Sequence, residues 1–258
     1  MWNHIQYKQT GKAVFLANYW PAVGVSVILT LLTGDSITTR INNALENLID
    51  FFQAVQGPWS HHAMELIYTL EHYASLLAPY AISLGLAGLV VSLLVALPFE
   101  VGVNRFFLES SPSQKAPFSR VAFGFNANYG NVVLTQFLLW LYTLLWTLLF
   151  IIPGIIRSLG YFAAPFILAE NPNLDHSRVI RLSLDMTYGF KWNIFYMSLS
   201  FLGWQILSVL SLGILGIFYV NPYYNATKAE MYRFLRQNAL DKGLATGEEL
   251  PGVAPSLL

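Results

Sequence analysis

His61, His62, Glu65, Glu71 and His72 form the one group in this 258-residue sequence whose side-chain types match a metal-ligand set. On a helix His61, Glu65 and His72 share a face, but His61 and His72 then stand about 16 Å apart along the axis. A zinc ion holds its ligands at only about 2.0–2.2 Å, so the group cannot close around a metal, and an interfacial patch is the expectation. Three further ionisable residues, Glu100, Arg157 and Glu170, border long uncharged stretches. In an apolar medium such charges mark substrate or proton paths. Each also has a route to an interface: Glu100 lies near Arg105 at a helix end, Glu170 precedes Asn171-Pro172, and Arg157 can extend outward past Pro153-Gly154. Structural anchoring is therefore the expected role. The sequence has no phosphate-cradling glycine loop, no nucleophile elbow and no carboxylate pair suited to acid–base work. It also lacks cysteine, so thiolate chemistry and disulfides are excluded. No catalytic residue, metal site or cofactor site is predicted.

What positions these residues follows from composition. Hydrophobic residues make up 55% of the chain and charged residues only 11%, where a soluble domain carries about 25% charged; mean hydropathy is +0.50. Too little polar surface exists to cover a globule in water, which excludes a soluble enzyme, a disordered chain and a nucleic-acid binder. Fourteen basic residues balance fourteen acidic ones, so no global field draws the chain to acidic partners. The class that remains is an all-α polytopic transmembrane bundle.

A bilayer core of about 30 Å needs about 20 apolar helical residues. Ala13 to Thr33 is one such run, and no small-residue cleavage pattern follows it, so it is read as a retained span rather than a signal peptide. Tyr73 to Phe99 is uncharged and gives a second. Val121 to Ile156 and Trp192 to Thr227 are each too long for one helix, which would measure about 54 Å. Each is interrupted, by Pro153-Gly154 and by Ser211-Leu212-Gly213, where a chain reverses. Six spans result, paired as three hairpins, at about 13–33, 74–103, 131–152, 155–170, 192–210 and 214–232. They form one domain over 1–240, with an external loop at 34–73 and a disordered tail at 241–258. Of the fourteen basic residues, all but Arg40 and Arg157 then fall on one side. The positive-inside rule places that side, and both termini, in the cytoplasm.

Spans two, four and six each carry a proline–aromatic pair: Pro98-Phe99, Pro165-Phe166 and Pro222-Tyr223. Proline inside a helix frees the carbonyl four residues earlier and bends it, so three kinks near one face are expected. Amphipathic interfacial helices are expected outside the bilayer. In the external loop Ile37, Ile41, Leu45, Leu48, Phe52 and Val55 recur at helical spacing. On the inner side, Phe118, Val121, Ala122 and Phe125 line one face, and Val179, Leu182 and Met186 another; Arg181 and Asp185 stand four apart and can pair.

Several short motifs follow one another in order: Pro98-Phe99-Glu100-Val101-Gly102, Ile152-Pro153-Gly154-Ile155-Ile156, Tyr188-Gly189-Phe190-Lys191-Trp192, Leu199-Ser200-Phe201-Leu202-Gly203-Trp204, Leu212-Gly213-Ile214 and Asn221-Pro222-Tyr223. The series resembles a family of bacterial integral membrane proteins known as domain of unknown function 975, over about residues 98–236. The resemblance implies a multi-pass protein of the bacterial plasma membrane and carries over no functional residue. The expected function is a non-enzymatic accessory protein that binds membrane lipid or another membrane protein. A small transporter or permease subunit with a cytoplasm-facing cavity is the alternative. No nucleic-acid partner is expected, and the sequence carries no signal for an oligomeric state.

Overall fold

The computed structural model describes residues 2–33, 69, 72, 92–113, 115–211 and 213–253. It divides into two compact units, residues 1–29 with 95–258, and residues 30–94. Almost all of the second lies outside the described residues, and with it the helix expected between Ile37 and Val55, the His61–His72 group apart from His72, and most of the second span. All regular structure among the described residues is helical.

Helix α1 (His4–Ala17) starts at Asn3, whose side chain accepts from the Gln6 backbone N–H at 3.2 Å. Helix α2 (Tyr19–Thr33) follows after a bend of 99°. The first apolar run, Ala13 to Thr33, is thus bent at Asn18 rather than one straight helix. The cause is local. Pro21 has no N–H for the carbonyl of Ala17 and its ring would strike it, so α1 ends there. Asn18 then holds the corner, donating from Nδ2 to the Val14 carbonyl at 3.0 Å and to the Ser111 carbonyl at 3.2 Å.

A π-helical turn (Ser92–Ala96) leads into α3 (Leu97–Glu109), a largely buried helix. Val101, Val103, Phe106 and Phe107 are at most 1% exposed. Across it lie a 3₁₀ turn (Phe118–Ala122) and the short helix α4 (Phe123–Asn126). A Cβ on Gly102 would overlap the Val121 carbonyl oxygen and stand 2.6 Å from its carbon; one on Gly124 would stand 2.8 Å from the Pro98 carbonyl carbon. Backbone therefore meets backbone at two points. Of the apolar face expected here, Val121 is buried and Phe125 half-buried, while Phe118 and Ala122 are exposed.

Helix α5 (Tyr129–Leu149) ends at Phe150, whose backbone is extended (φ −155°, ψ 138°), and α6 (Ile151–Gly160) begins directly after. A turn at 161–163 separates α6 from α7 (Ala164–Glu170). Asn131 reaches the carbonyls of Pro172 and Leu174, both at 2.8 Å, Trp146 lies under Arg157, and Thr147 abuts Gly154. These contacts run in opposite sequence directions, so α5 is antiparallel to α6–α7. Helix α8 (His176–Thr187) packs Val179, Leu182 and Met186 inward, all 0% exposed, as their spacing predicts. Its Ser183 and Thr187 hydroxyls both donate to the Gly160 carbonyl, at 2.9 and 3.1 Å.

Helices α9 (Lys191–Leu199) and α10 (Leu202–Leu210) precede a reversal in which Gly213 takes φ +87°, a region that glycine enters without a Cβ penalty. A second π turn (Gly216–Val220) opens α11 (Asn221–Asp241). Trp204 packs on Tyr219 at 5.3 Å and Phe201 on Tyr223 at 5.0 Å, again an antiparallel pairing. Helix α1 lies along α11, with Phe15 against Tyr219 and Tyr7 against Phe234; Gly11 lets it come close, since a Cβ there would be 2.8 Å from the Thr227 backbone.

Three helical stretches, Tyr129–Leu149, Ile151–Glu170 and Lys191–Leu210, are long and apolar enough to cross a membrane, and the bent α1–α2 pair passes the same test when its two parts are joined. Each of the two reversals carries a group of strongly exposed apolar residues. Leu148, Leu149, Phe150, Ile151 and Ile152 are 63–75% exposed, and Val209, Leu210 and Ile214 62–75%. The stretch from Asp241 corrects the expectation of a disordered tail as far as residue 253. Leu250 is 0% exposed and Ala245 6%, and hydrogen bonds described below fix the segment to three helices.

Candidate functional site

Charged residues of α3, α7, α8 and α11 converge where α3 and α7 end. The last carbonyls of a helix have no intrahelical donor and bear partial negative charge, so cations are drawn to such ends. Arg105 on α3 donates through Nη1 to the Ala169 carbonyl at 2.7 Å and through Nε to Glu109 at 2.6 Å. Glu109, its side chain 1% exposed, accepts on its other oxygen from Arg120 Nε at 2.7 Å. Arg233 on α11 closes the end of α3: its Nη2 donates to the carbonyls of Leu108 at 2.7 Å, Ser110 at 3.1 Å and Phe107 at 3.3 Å, while Nη1 pairs with Glu230.

One turn further on, Arg236 donates through Nε to Glu170 at 3.0 Å and through Nη2 to the Leu250 carbonyl at 2.7 Å. Glu170, its side chain 2% exposed, also accepts from the Gly252 N–H at 3.1 Å. Arg178 on α8 grips Glu249 with both nitrogens, at 2.6 and 3.1 Å, and the Leu244 carbonyl at 2.8 Å. The guanidinium beside it, with the Thr246 N–H, holds the Glu249 carboxyl down at about 2. Planar forks suit such bidentate work, which an ammonium cannot reproduce. The arrangement is a basal lattice of ion pairs that ties α3, α7, α8 and α11 together.

The three ionisable residues singled out from sequence have separate partners here. Glu170 belongs to the lattice. Glu100 is half-buried in the first turn of α3, facing the charge of Lys228. Arg157 lies over the Trp146 ring at 4.8 Å and makes no ion pair among the described residues. None of the three pairs with another. The prolines share a position rather than a mid-helix kink: Pro98, Pro165 and Pro222 are each the second residue of a helix, α3, α7 and α11. A π turn precedes the first and third, and the 161–163 turn the second. A missing N–H costs nothing in a first turn, so the widened or broken turn upstream takes up the bend. Sequence reasoning passed over Glu109, Arg233, Arg236 and Glu249. The Arg105–Glu109 spacing of four and the Glu230–Arg233 spacing of three were the legible signs; the other pairs join residues 11 to 71 positions apart.

A family model described as "Protein of unknown function (DUF975)" matches residues 86–239. The chain belongs to this family. The DUF975 region runs from before the first π turn through nearly all of α11, and so contains the proline-led helices α3, α7 and α11. It also holds every basic residue of the lattice, whereas the carboxylate of Glu249 and the strap around it lie beyond its end. No curated protein and no solved structure matches the chain.

Proposed function

We propose that this DUF975 protein is a multi-pass protein of the bacterial plasma membrane that acts without catalysis, as an accessory factor binding lipid or a second membrane protein. In this reading six spans are paired as three hairpins and both termini are cytoplasmic. The observation that carries it is the distribution of exposed apolar side chains. Leu148, Ile151, Ile152 and Leu210 stand 70–75% exposed at the reversals, while Glu170, at the far end of the Ile151–Glu170 stretch, is interlocked with arginine. Side chains of that kind need an apolar medium, and an interlocked polar base suits its boundary. Glu109 and Glu170, the buried carboxylates nearest the apolar helices, are engaged by arginine, which supports a binding rather than a reacting role. The test has two arms. The chain should stay in the pellet after alkaline extraction of membranes, with reporter tags at both termini on the cytoplasmic face. Purified in mild detergent it should retain phospholipid or a reproducible protein partner. Release into the alkaline supernatant, or tags on opposite faces, refutes the topology; recovery of neither lipid nor partner refutes the binding role.

A further inference from the structure

Between α5 and α8 lies an open hollow of about 310 Å³, lined by Tyr142, His176, Ser177, Ile180, Arg181 and Leu184. Its wall is two-sided. Arg181, His176 and Ser177 supply donors, while Ile180, Leu184 and the ring of Tyr142 are apolar.

Arg181 is exposed and makes no ion pair among the described residues, although Asp185 is placed four residues on for one. The Arg181 guanidinium is thereby left to the hollow, in contrast to Arg105, Arg120, Arg178, Arg233 and Arg236, each of which has a carboxylate. The acid that borders the site is Asp175. Its carboxylate is taken up by the backbone and hydroxyl of Ser177 and stands 3.3 Å from His176 Nδ1.

From the hollow an apolar stripe leads away along α5. Tyr142, Leu145, Trp146 and Leu149 follow at helical spacing and are 38%, 53%, 37% and 63% exposed. The stripe runs for about 10 Å toward the reversal at Phe150, on a helix apolar enough to cross a membrane.

We propose that the hollow seats the headgroup of an anionic glycerophospholipid, with the phosphodiester on Arg181 and His176 and an acyl chain along the Tyr142–Leu149 stripe. A guanidinium recognises phosphate bidentately, and a cation at the head of an apolar stripe matches a lipid better than a free anion, which would leave the stripe unused. The inference rests on the lipid-binding reading above and names its site.

Native mass spectrometry of the full chain in detergent micelles doped with phosphatidylglycerol tests it, with phosphatidylcholine and soluble glycerophosphoglycerol as competitors. The wild-type chain should retain phosphatidylglycerol in preference to phosphatidylcholine, and Arg181→Gln should cut retention about tenfold, as loss of a charged hydrogen-bonding partner does. Arg181→Lys should fall between the two, and Lys115→Gln, an exposed charge elsewhere, should match wild type. Leu145→Ser, remote from the packed base, tests the acyl stripe without touching α8 and should lower retention of the lipid. Undiminished retention by Arg181→Gln, with lipid still bound, overturns this site while leaving the lipid-binding reading standing. Displacement of the lipid by an equal concentration of glycerophosphoglycerol overturns the acyl-chain part. A wild-type chain that retains no phospholipid overturns both readings.

Discussion

Replacing Gly102 by alanine adds one methyl group at the point where α3 crosses the 3₁₀ turn. The new carbon would overlap the Val121 carbonyl oxygen, and would stand 2.6 Å from its carbon and 3.1 Å from its Cα. Carbon atoms rest at about 3.5–4.0 Å, so the two backbones must part by roughly 1 Å. Neither can rotate out of the way as a flexible side chain would. The 3₁₀ segment is also held from both sides: Arg120 is bound to Glu109, and Gly124 lies against the Pro98 carbonyl, where a Cβ would stand 2.8 Å from the carbonyl carbon. Overpacking in cores costs about 1–3 kcal/mol, and two immovable backbones put this case at the upper end, about 3 kcal/mol. At about 2–4 °C per kcal/mol for a chain of this size, Gly102→Ala should lower the midpoint of thermal unfolding in detergent by about 6–12 °C. Gly130→Ala is the control. Gly130 lies in the first turn of α5 and a Cβ there meets nothing within 4 Å, so alanine should leave the midpoint unchanged or raise it, the gain from a stiffer unfolded chain being about 0.4–1 kcal/mol. Equal midpoints for the two variants would refute the backbone-contact argument.

Two further predictions concern the basal lattice. Glu170→Leu leaves the half-buried Arg236 without its carboxylate and should destabilise by about 2–3 kcal/mol, less than for a fully buried pair; adding Arg236→Leu should recover a large part of that loss, and a double variant no more stable than Glu170→Leu would show that the pair is not the cause. The folded-state carboxyl of Glu249 lies at about 2 against an ordinary value of 4.5. Because the folded value is depressed, its stabilisation is present above pH 4.5 and is lost as pH falls toward 2. Wild type should therefore lose stability through that window more steeply than Glu249→Gln, and parallel titrations of the two would contradict it.

Much of the helix layout is legible in the sequence because apolar runs and their breakers are local signals. The stretches expected at 131–152, 155–170 and 192–210 fall within a few residues of Tyr129–Leu149, Ile151–Glu170 and Lys191–Leu210. Local chemistry misled in two places. Hydropathy carried a helix through Asn18 because it does not register that Pro21 denies Ala17 its donor. Composition made 241–253 look unstructured because its anchors, Arg178, Glu170 and Arg236, are far away in sequence. The ion-pair lattice was hidden for the same reason. Which arginine meets which carboxylate depends on where four helices end, and no periodicity encodes that. The hollow beside Arg181 depends on an absent pairing with Asp185, which spacing alone had favoured.

Arg233 holds three carbonyls at the end of α3, those of Phe107, Leu108 and Ser110, while Arg236, one turn along the same helix, holds Glu170 at the end of α7. Two grips from a single rod make α11 a yoke. A push or twist applied to it transmits to both of the other helices at once, because slipping past either would strand carbonyls or a carboxylate without a donor. The base can tilt as a rigid plate, but its helices cannot slide singly, so a disturbance reaching the polar end would be delivered to the apolar stretches as one concerted movement.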